Sequence, residues 1–401
     1  MTAFALSGEQ AAFSASVRAL AAGELRDLAE AGQPGRVNRP LIKAMGSLGL
    51  LDRLFPGAGG LPTGGLPPGA LPAGALPPGA LPAGGLPREA AAMDLCLLRE
   101  SLAVESTEAE TALALQGLGS YPVLQSGRDE IVRRWLPAVA AGDAVAAFAL
   151  SEPSAGSDAA ALSLAASPDG SGWRLTGEKT WISNAPEADF YTVFARTTPG
   201  AGARGVSAFV VPADRAGLSG SHLDMLSPHP IGTLVFDGVR VESEELLGEL
   251  DRGFAVAMRT LDLFRPSVGA FAVGMAQAAL DASVTHAGTR EAFGAPLRSN
   301  QAISHQLAEM TTRISAARLL VYAAASGYDA GAGSASHAAM AKLFATETAQ
   351  FVVDSAVQIH GARALQRGHL LEHLYREVRA PRIYEGTSEI QRTIIARGLY
   401  R

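Results

Sequence analysis

The sequence predicts an α+β protein of more than one domain, with helices at both ends and strands in the middle. Apolar residues recur at helical spacing in the first and last parts of the chain, whereas the part between them alternates with a period of two. We therefore assign residues 1–145 to an N-terminal helical domain, 146–247 to a middle β domain and 248–401 to a C-terminal helical bundle. With 401 residues and 48% hydrophobic content, the chain is long enough for two or three domains.

Several helices are predicted in the N-terminal part. Ser7 stands three residues before Gln10, which is the spacing of a capping box, and apolar residues then follow at helical spacing. A second helix is predicted from about Arg39 to Leu48, and further helices in the range 88–141. Cys96 lies in the apolar part of that range, which is typical of a core residue.

A five-residue unit of pattern LPxG is repeated over residues 61–87. Its prolines lack amide donors and its glycines carry a high backbone entropy, so the repeat disfavours both a helix and a central strand. We expect a surface loop of polyproline-like character. A segment that docks a partner or covers a site is the alternative.

The middle part contains four segments rich in β-branched and aromatic residues, which predict strands: WRLTGEKTWISNA, FYTVFART, GVSAFVVPA and GTLVFDGVRV. Helical spacing returns from Gly248. The runs there are long and apolar, which indicates a bundle that is buried partly against other subunits.

The composition excludes several classes of function. A net charge of −6 with scattered basic residues does not match a nucleic-acid-binding surface. A single cysteine can form neither an internal disulfide nor a cysteine-rich metal site, so we expect no metal and a cytoplasmic location. The first residues lack the pattern of a signal peptide, and the absence of an uninterrupted apolar run of about 20 residues argues against a membrane span.

Two segments of small and polar residues are the most informative motifs. Residues 147–158 read AFALSEPSAGSD, and side chains this small would let a ligand lie against backbone amides. Residues 177–185 read GEKTWISNA. Together they resemble the flavin-binding signature of the acyl-CoA dehydrogenase family, and FDGVRV, TREAFG and YEGTSEIQ follow in that family's order. The resemblance covers nearly everything except the LPxG repeat, and it implies that family's fold, with a β-barrel-like or β-sandwich middle domain and a C-terminal four-helix bundle.

The resemblance also implies FAD as the cofactor and a role for each matching residue. The residues implied at the flavin ring and pyrophosphate are Phe148, Leu150, Ser151, Gly156, Ser157, Trp181 and Ser183. Those implied at the adenine half of FAD bound by a neighbouring subunit are Arg290, Phe293, Gln301, Gln358 and Gly361, while Thr387 and Glu389 would close over the cofactor. Ser157, Arg265, Tyr384 and Gly386 would contact the acyl-CoA. Taken alone, Trp181 is more typical of a strand core, Arg290 of a solvated helix end and Ser157 of a turn.

Glu385, in RIYEGTSEIQ, is the predicted catalytic base. Removal of a weakly acidic proton beside a thioester needs a polarised carbonyl and a desolvated base. The resemblance implies that the Glu385 amide and a flavin ribityl hydroxyl hold that carbonyl. Some family members place the base on another helix, but that position is Phe264 here, and Asp262 is two residues out of register. Taken alone, a glutamate at this place could instead pair with a helix dipole.

Two places depart from the family pattern. The glycine-rich turn QIxGGxG reads QIHGARAL, so Ala362 and Ala364 stand where a backbone approaches the cofactor or φ is often positive. Arg363 could compensate by meeting the pyrophosphate. The early loop keeps Gly59, Gly60 and Leu61 but lacks the family's acidic and aromatic residues. The length of the acyl chain therefore stays open, as does the choice between a CoA thioester and a carrier-protein thioester.

The resemblance implies an acyl-CoA dehydrogenase of fatty acid metabolism that forms the trans-2-enoyl-CoA, with electrons passed to an electron-transferring flavoprotein. It also implies a homotetramer arranged as a dimer of dimers. Two alternatives stay open. One is an oxidase of the same fold that uses oxygen, on acyl-CoA or on nitroalkanes, and the other is a non-catalytic relative that serves as a binding protein.

Overall fold

The structure, a computed structural model, describes residues 6–55 and 90–400. The predicted LPxG loop therefore lies outside the described residues. The helices of the described part are, in chain order, α1 (Gly8–Ala22), α2 (Arg26–Glu30), α3 (Arg39–Ser47), α4 (Ala92–Glu105), α5 (Thr107–Ser126), α6 (Asp129–Ala140), α7 (Gly253–Thr289), α8 (Gln301–Asp329), α9 (Ala335–His360), α10 (Leu370–Glu377) and α11 (Ser388–Gly398). The strands are β1 (Ala146–Ala149), β2 (Ala165–Asp169), β3 (Gly172–Ser183), β4 (Phe190–Arg196), β5 (Val206–Pro212), β6 (Leu218–His222), β7 (Ile231–Val241), β8 (Leu246–Leu247), β9 (Glu291–Ala292) and β10 (Ala295–Pro296).

The chain divides into two compact units. The first contains Met1–Gly23, Ala92–Glu110 and Asp262–Arg401, and the second contains Glu24–Ala91 and Thr111–Leu261. The predicted order of helices, strands and helices is present, with helices up to Ala140 and again from Gly253. The assignment of three domains with boundaries at 145/146 and 247/248 stays a prediction.

The first unit is built of helices, and α9 packs against three of them. This helix contacts α8, α10 and α11, and most of its buried residues are alanines and valines. Small side chains let neighbouring helices approach closely. Lys342 is an exception, because it is a lysine with 0% exposure in this largely apolar helix.

The longest helix is α7, with 37 residues. By length and composition it is the one helix in the described part of the chain that could cross a membrane. However, 72% of its most apolar window is buried inside the protein, as in the core helix of a bundle.

The second unit contains one sheet, with strand order β6-β7-β3-β2-β4-β5-β8 and with β1 paired to β4. Most neighbours are antiparallel, and β4 pairs in parallel with β1 and β2. β4 and β5 are buried along nearly their whole length, as their continuous apolar sequences predict. The register of β3 against β7 shifts between Lys179 and Ile182, which places a β-bulge inside the second flavin motif.

Candidate active site

The two predicted flavin motifs lie side by side in the second unit. Lys179 Nζ donates to the Leu150 carbonyl (2.9 Å), and the Thr180 N–H donates to the Ser151 carbonyl (3.0 Å). Leu150 and Ser151 directly follow β1, whereas Lys179 and Thr180 lie at the bulge of β3. Residues at the bulge of the second motif therefore bind the backbone carbonyls of the first motif.

Trp181 is the residue that the bulge exposes. Its φ of 55° is left-handed, and its side chain is 49% exposed. The expectation that a strand tryptophan taken alone belongs to the core is therefore wrong. An aromatic side chain held outward by a strained backbone is typical of a residue that contacts a ligand. Asn184 fixes the end of the strand, since its side-chain amide donates to the Ala146 carbonyl of β1 (2.9 Å).

A buried ion pair supports the same loop from inside. Lys179, with 0% exposure, lies 2.8 Å from a carboxylate oxygen of Glu152. Glu152 also accepts from the N–H groups of Ser163 (2.6 Å) and Leu164 (2.9 Å). Burial lowers the pKa of Lys179 to about 8, although the neighbouring Glu152 opposes this shift. The loop is thus anchored by a charged pair that the solvent does not reach.

The other residues predicted at the flavin are also in the second unit. Phe148 is partly buried, with its ring centroid 4.9 Å from that of Phe194, and Ser183 is partly buried. Gly156 and Ser157 are exposed, and a Cβ on Gly156 would meet no atom within 4 Å. Packing within the described chain therefore does not require glycine at position 156. The space beside Gly156 is open to a ligand.

The turn that carries Glu385 is in the first unit. Glu385 (φ 52°) and Gly386 (φ 91°) are both left-handed. Glycine is favoured at the second position, because residues with a Cβ rarely adopt a φ of 91°. A Cβ there would also lie 2.7 Å from Gln391 Nε2. Thr387 ends the turn as the N-cap of α11, where its hydroxyl accepts from the Ile390 N–H (3.3 Å).

Three side chains hold the two carbonyls of this turn. The Gln391 amide donates to both, at 3.1 Å to Glu385 and 2.9 Å to Gly386. Arg265 Nε donates to the Glu385 carbonyl at 3.3 Å, and Lys342 Nζ to the Gly386 carbonyl at 2.8 Å. In contrast, the buried Oε2 of Glu385 has no hydrogen-bond partner among the described residues. A fixed backbone thus carries a carboxylate oxygen that residues 6–55 and 90–400 leave unpaired.

Opposing effects act on the carboxyl group of Glu385. Burial raises its pKa, and the charges of Arg99, Lys342 and Arg265 oppose this rise. Burial also raises the pKa of Tyr384 well above its ordinary value, so its phenol stays protonated. The site therefore contains a desolvated carboxyl group, and nearby cations limit the rise of its pKa.

Arg99 is held in place by buried partners. It is paired with Glu110, and its Nη1 donates to Ser267 Oγ (2.8 Å). Asp262, the carboxylate near the alternative position of the base, is instead paired with Arg265 at 3.0 Å. Phe264, at the alternative position itself, is buried.

Sequence reasoning missed Arg99, Lys342 and Gln391. For Lys342 a signal existed, because lysine is seldom buried without a partner and this one stands in the apolar run AAMAKLFA. No comparable signal existed for Gln391, which is one polar residue among several in α11. The partners of Arg99 lie on α5 and α7, so only the fold brings them together.

The residues predicted to reach a neighbouring subunit's FAD are all exposed: Arg290, Phe293, Gln301, Gln358 and Gly361. Phe293 is fully exposed, with a left-handed φ of 54°, at the hairpin of β9 and β10. Glu389, predicted to close over the cofactor, is also exposed. These side chains are available for contact with a second chain.

The glycine-rich turn that departs from the family has no backbone strain at its alanines. The positive φ in QIHGARAL falls on Gly361 (65°), and neither Ala362 nor Ala364 is left-handed. The concern that these two alanines occupy a left-handed backbone is therefore wrong. Arg363, which could meet a pyrophosphate, is exposed. Within residues 6–55 and 90–400, no group of three or more histidines, cysteines or carboxylates is placed to hold a metal ion.

Two family models match this chain. The middle domain of the acyl-CoA dehydrogenases matches residues 147–239, and their C-terminal domain matches residues 251–400. The mitochondrial short-chain specific acyl-CoA dehydrogenase of Bos taurus is 44% identical over 278 residues, which are 69% of this chain and 68% of the bovine protein. The 3-(aryl)acrylate reductase of Clostridium sporogenes is 41% identical over 283 residues, which are 70% of this chain and 75% of that reductase.

Solved structures are similar over the whole length. Butyryl-CoA dehydrogenase from Megasphaera elsdenii has a TM-score of 0.86 at 31% identity, with 100% of each chain covered. PigA with FAD and proline has a TM-score of 0.86 at 26% identity, with 99% of each chain covered. The predicted α+β fold, with helical ends around a central sheet, is thus confirmed.

Proposed function

Since this chain belongs to the acyl-CoA dehydrogenase family, and is therefore an FAD-dependent oxidoreductase that acts on acyl-CoA, we propose that it dehydrogenates a short acyl-CoA with Glu385 as the base. The observation that carries the proposal is the buried Oε2 of Glu385, which has no partner among the described residues. A buried polar atom without a partner is costly, and such atoms cluster where a ligand completes a site.

The residues of the second unit fit a flavin. A flavin ring is flat and largely apolar, with polar atoms along its edge. The exposed indole of Trp181 supplies a flat apolar surface, and Ser151 and Ser183 supply hydroxyl groups. Phe148 in β1 and Leu150 directly after it would add apolar contacts. When bound, FAD supplies the acceptor for the hydride that leaves the β-carbon.

Glu385 takes the proton from the α-carbon. The α C–H bond breaks, its proton goes to the carboxylate, and its electron pair forms the α,β double bond as the β-hydride departs. Burial raises the pKa of Glu385 and so strengthens it as a base, whereas the charges of Arg99, Lys342 and Arg265 oppose this rise. The Glu385 amide would hold the thioester carbonyl, as the resemblance implies.

Two observations support a short acyl group. The bovine relative is short-chain specific by name, and the solved structure from Megasphaera elsdenii is a butyryl-CoA dehydrogenase. In addition, the interior of the first unit near the base is occupied by the buried pair of Arg99 and Glu110. A long alkyl chain placed against charged groups would gain little from burial.

The electron acceptor and the assembly complete the proposal. We propose that an electron-transferring flavoprotein takes the electrons and that the chain acts in fatty acid metabolism in the cytoplasm. We also propose a homotetramer, which is supported by the exposure of the residues expected to reach a neighbouring subunit's FAD.

The substitution Glu385→Gln tests the proposed base. The variant should keep its flavin and lose bleaching by butyryl-CoA without oxygen, with a reduction rate lowered at least about 10³-fold, because an amide cannot accept the proton. Butyryl-, octanoyl- and palmitoyl-CoA are added to the wild type in parallel, and the shortest should bleach the flavin fastest.

Glu309→Gln is the matched control, since Glu309 is a surface carboxylate of α8 paired with Arg313. It should bleach like the wild type. Retained bleaching in Glu385→Gln would contradict the assignment of the base. Fast reoxidation of the reduced wild type by air would favour an oxidase instead of a dehydrogenase.

A further inference from the structure

Two of the three lysines in the chain are fully buried. Lys179 and Lys342 have 0% exposure, whereas the side chain of Lys43 is 52% exposed. Lysine is almost never fully buried unless it is paired. Lys179 has Glu152 as its partner, but Lys342 forms no ion pair within 4 Å in the described part of the chain and donates to the Gly386 carbonyl. Its burial therefore needs another explanation.

The acceptor of Lys342 belongs to the turn that carries the base. A non-glycine residue in the left-handed region is strained, and such strain persists only where the surroundings hold it. At Glu385 and Gly386 the surroundings are Lys342, Gln391 and Arg265, which supply four hydrogen bonds to two carbonyls. Gln391 is itself at 0% exposure.

We propose that Lys342 and Gln391 are positioning residues for the reaction at Glu385: both hold the backbone of its turn, and Lys342 also supplies a fixed positive charge to the base. Neither residue touches the substrate in this proposal. Gln391 is neutral, so its contribution is hydrogen bonding alone. Variants of the two residues therefore separate the effect of backbone positioning on the reaction from the effect of the Lys342 charge on Glu385.

Several charges face these groups, and all are in the first unit. Lys342 is influenced by Glu385, Arg265, Glu347 and Glu389, and Glu385 by Arg99, Lys342 and Arg265. Burial lowers the pKa of Lys342 to about 8, so most of it is charged at neutral pH. Removal of this charge raises the pKa of Glu385, because one of its three opposing cations is lost.

The inference rests on the proposed function, and the rate of anaerobic flavin reduction by butyryl-CoA between about pH 5.5 and pH 9 tests it. The rate rises with pH as Glu385 loses its proton. Lys342→Met should move the midpoint of this rise upward by about one pH unit. Gln391→Met should lower the rate about tenfold at every pH and leave the midpoint in place.

A second readout needs no turnover. The carboxyl C=O stretch that Glu385→Gln removes from infrared difference spectra reports the protonation of Glu385. Its titration midpoint should shift upward in Lys342→Met and stay unchanged in Gln391→Met. Lys342→Gln, which keeps a donor without the charge, provides the same comparison if the methionine variant is insoluble, and Lys43→Met is the surface control.

Unmoved midpoints in both lysine variants would overturn the electrostatic role of Lys342, and an unchanged rate in Gln391→Met would overturn the role of Gln391. If butyryl-CoA bleaches the wild type, either result contradicts this inference and leaves the proposed function intact. A wild type that no acyl-CoA bleaches contradicts the proposed function instead, and the infrared titration still measures the effect of Lys342 on Glu385.

Discussion

Glu377 in α10 is a buried carboxyl with 3% exposure. Burial raises its pKa to about 8, and repulsion from Glu108 adds to the shift. In the unfolded chain the group ionises near 4.5. The unfolded state therefore loses this proton between about pH 4.5 and pH 8 while the native state keeps it, so stability falls as pH rises through that window.

Glu377→Gln should remove this pH dependence. Relative to the wild type, the variant should gain about 1–3 kcal/mol at pH 8 and much less at pH 5, because glutamine has no proton to lose. Denaturant unfolding at the two pH values measures the difference. A gain of equal size at both would show that ionisation of Glu377 is not the cause. Glu309→Gln on the surface should show no such trend.

The residues proposed to touch a ligand carry a clearer sequence signal than those that support them. The motif YEGTSEIQ predicts roles for Glu385 and Gly386 because it resembles the family's motif, and the proposed chemistry needs a base there. The supporting residues are harder to predict. Lys342 is marked only by its place in an apolar run, and both Arg99 and Lys342 stand on helices far from Glu385 in the sequence. Their role depends on which helix faces act together, and a single sequence does not contain that information.

At the scale of helices, Gly274 lies where α7 meets α4. A Cβ at this position would lie 2.5 Å from the Glu100 carbonyl oxygen and 2.7 Å from Ala103 Cβ. The first of these is a backbone atom, so one helix has to move. Gly274→Ala should therefore destabilise the protein by about 1–3 kcal/mol, as overpacking does.

Gly288 is the matched control on the same helix. A Cβ there would meet no atom within 4 Å. Gly288→Ala should be neutral or gain up to about 1 kcal/mol, because alanine is the better helix former. Thermal unfolding compares the two variants, and equal melting temperatures would mean that the contact of α4 and α7 adapts to the methyl group.

Helices and strands were predictable where the local pattern is strong. The capping box at Ser7 forms as expected, since its hydroxyl accepts from the Gln10 N–H and its own N–H donates to Gln10 Oε1. The bulge in β3 was not predictable, because it arises from the register against β7. That one irregularity exposes Trp181, so alternation within the strand alone gives the wrong side for this residue.

At the scale of the molecule, periodicity does not say which helices share a core. The sequence predicts one N-terminal domain for all early helices, and this stays a prediction. By contacts, Met1–Gly23 and Ala92–Glu110 belong to the same compact unit as the C-terminal helices. The buried pair of Arg99 and Glu110 therefore acts in the same unit as Glu385. Contacts between distant segments decide this grouping, and one sequence does not reveal them.

The proposed tetramer makes a prediction about the hairpin of β9 and β10. Phe293 is fully exposed in the single chain, and burial of a phenylalanine against a second copy contributes about 1.5–3 kcal/mol. Phe293→Asp should lower both the tetramer fraction and the flavin that remains bound after gel filtration, whereas Phe293→Leu should retain most of both. Light scattering and flavin absorbance at several protein concentrations measure the two effects. If Phe293→Asp remained tetrameric with full flavin, the hairpin would not be part of the subunit interface, and the exposed residues near it would need another partner.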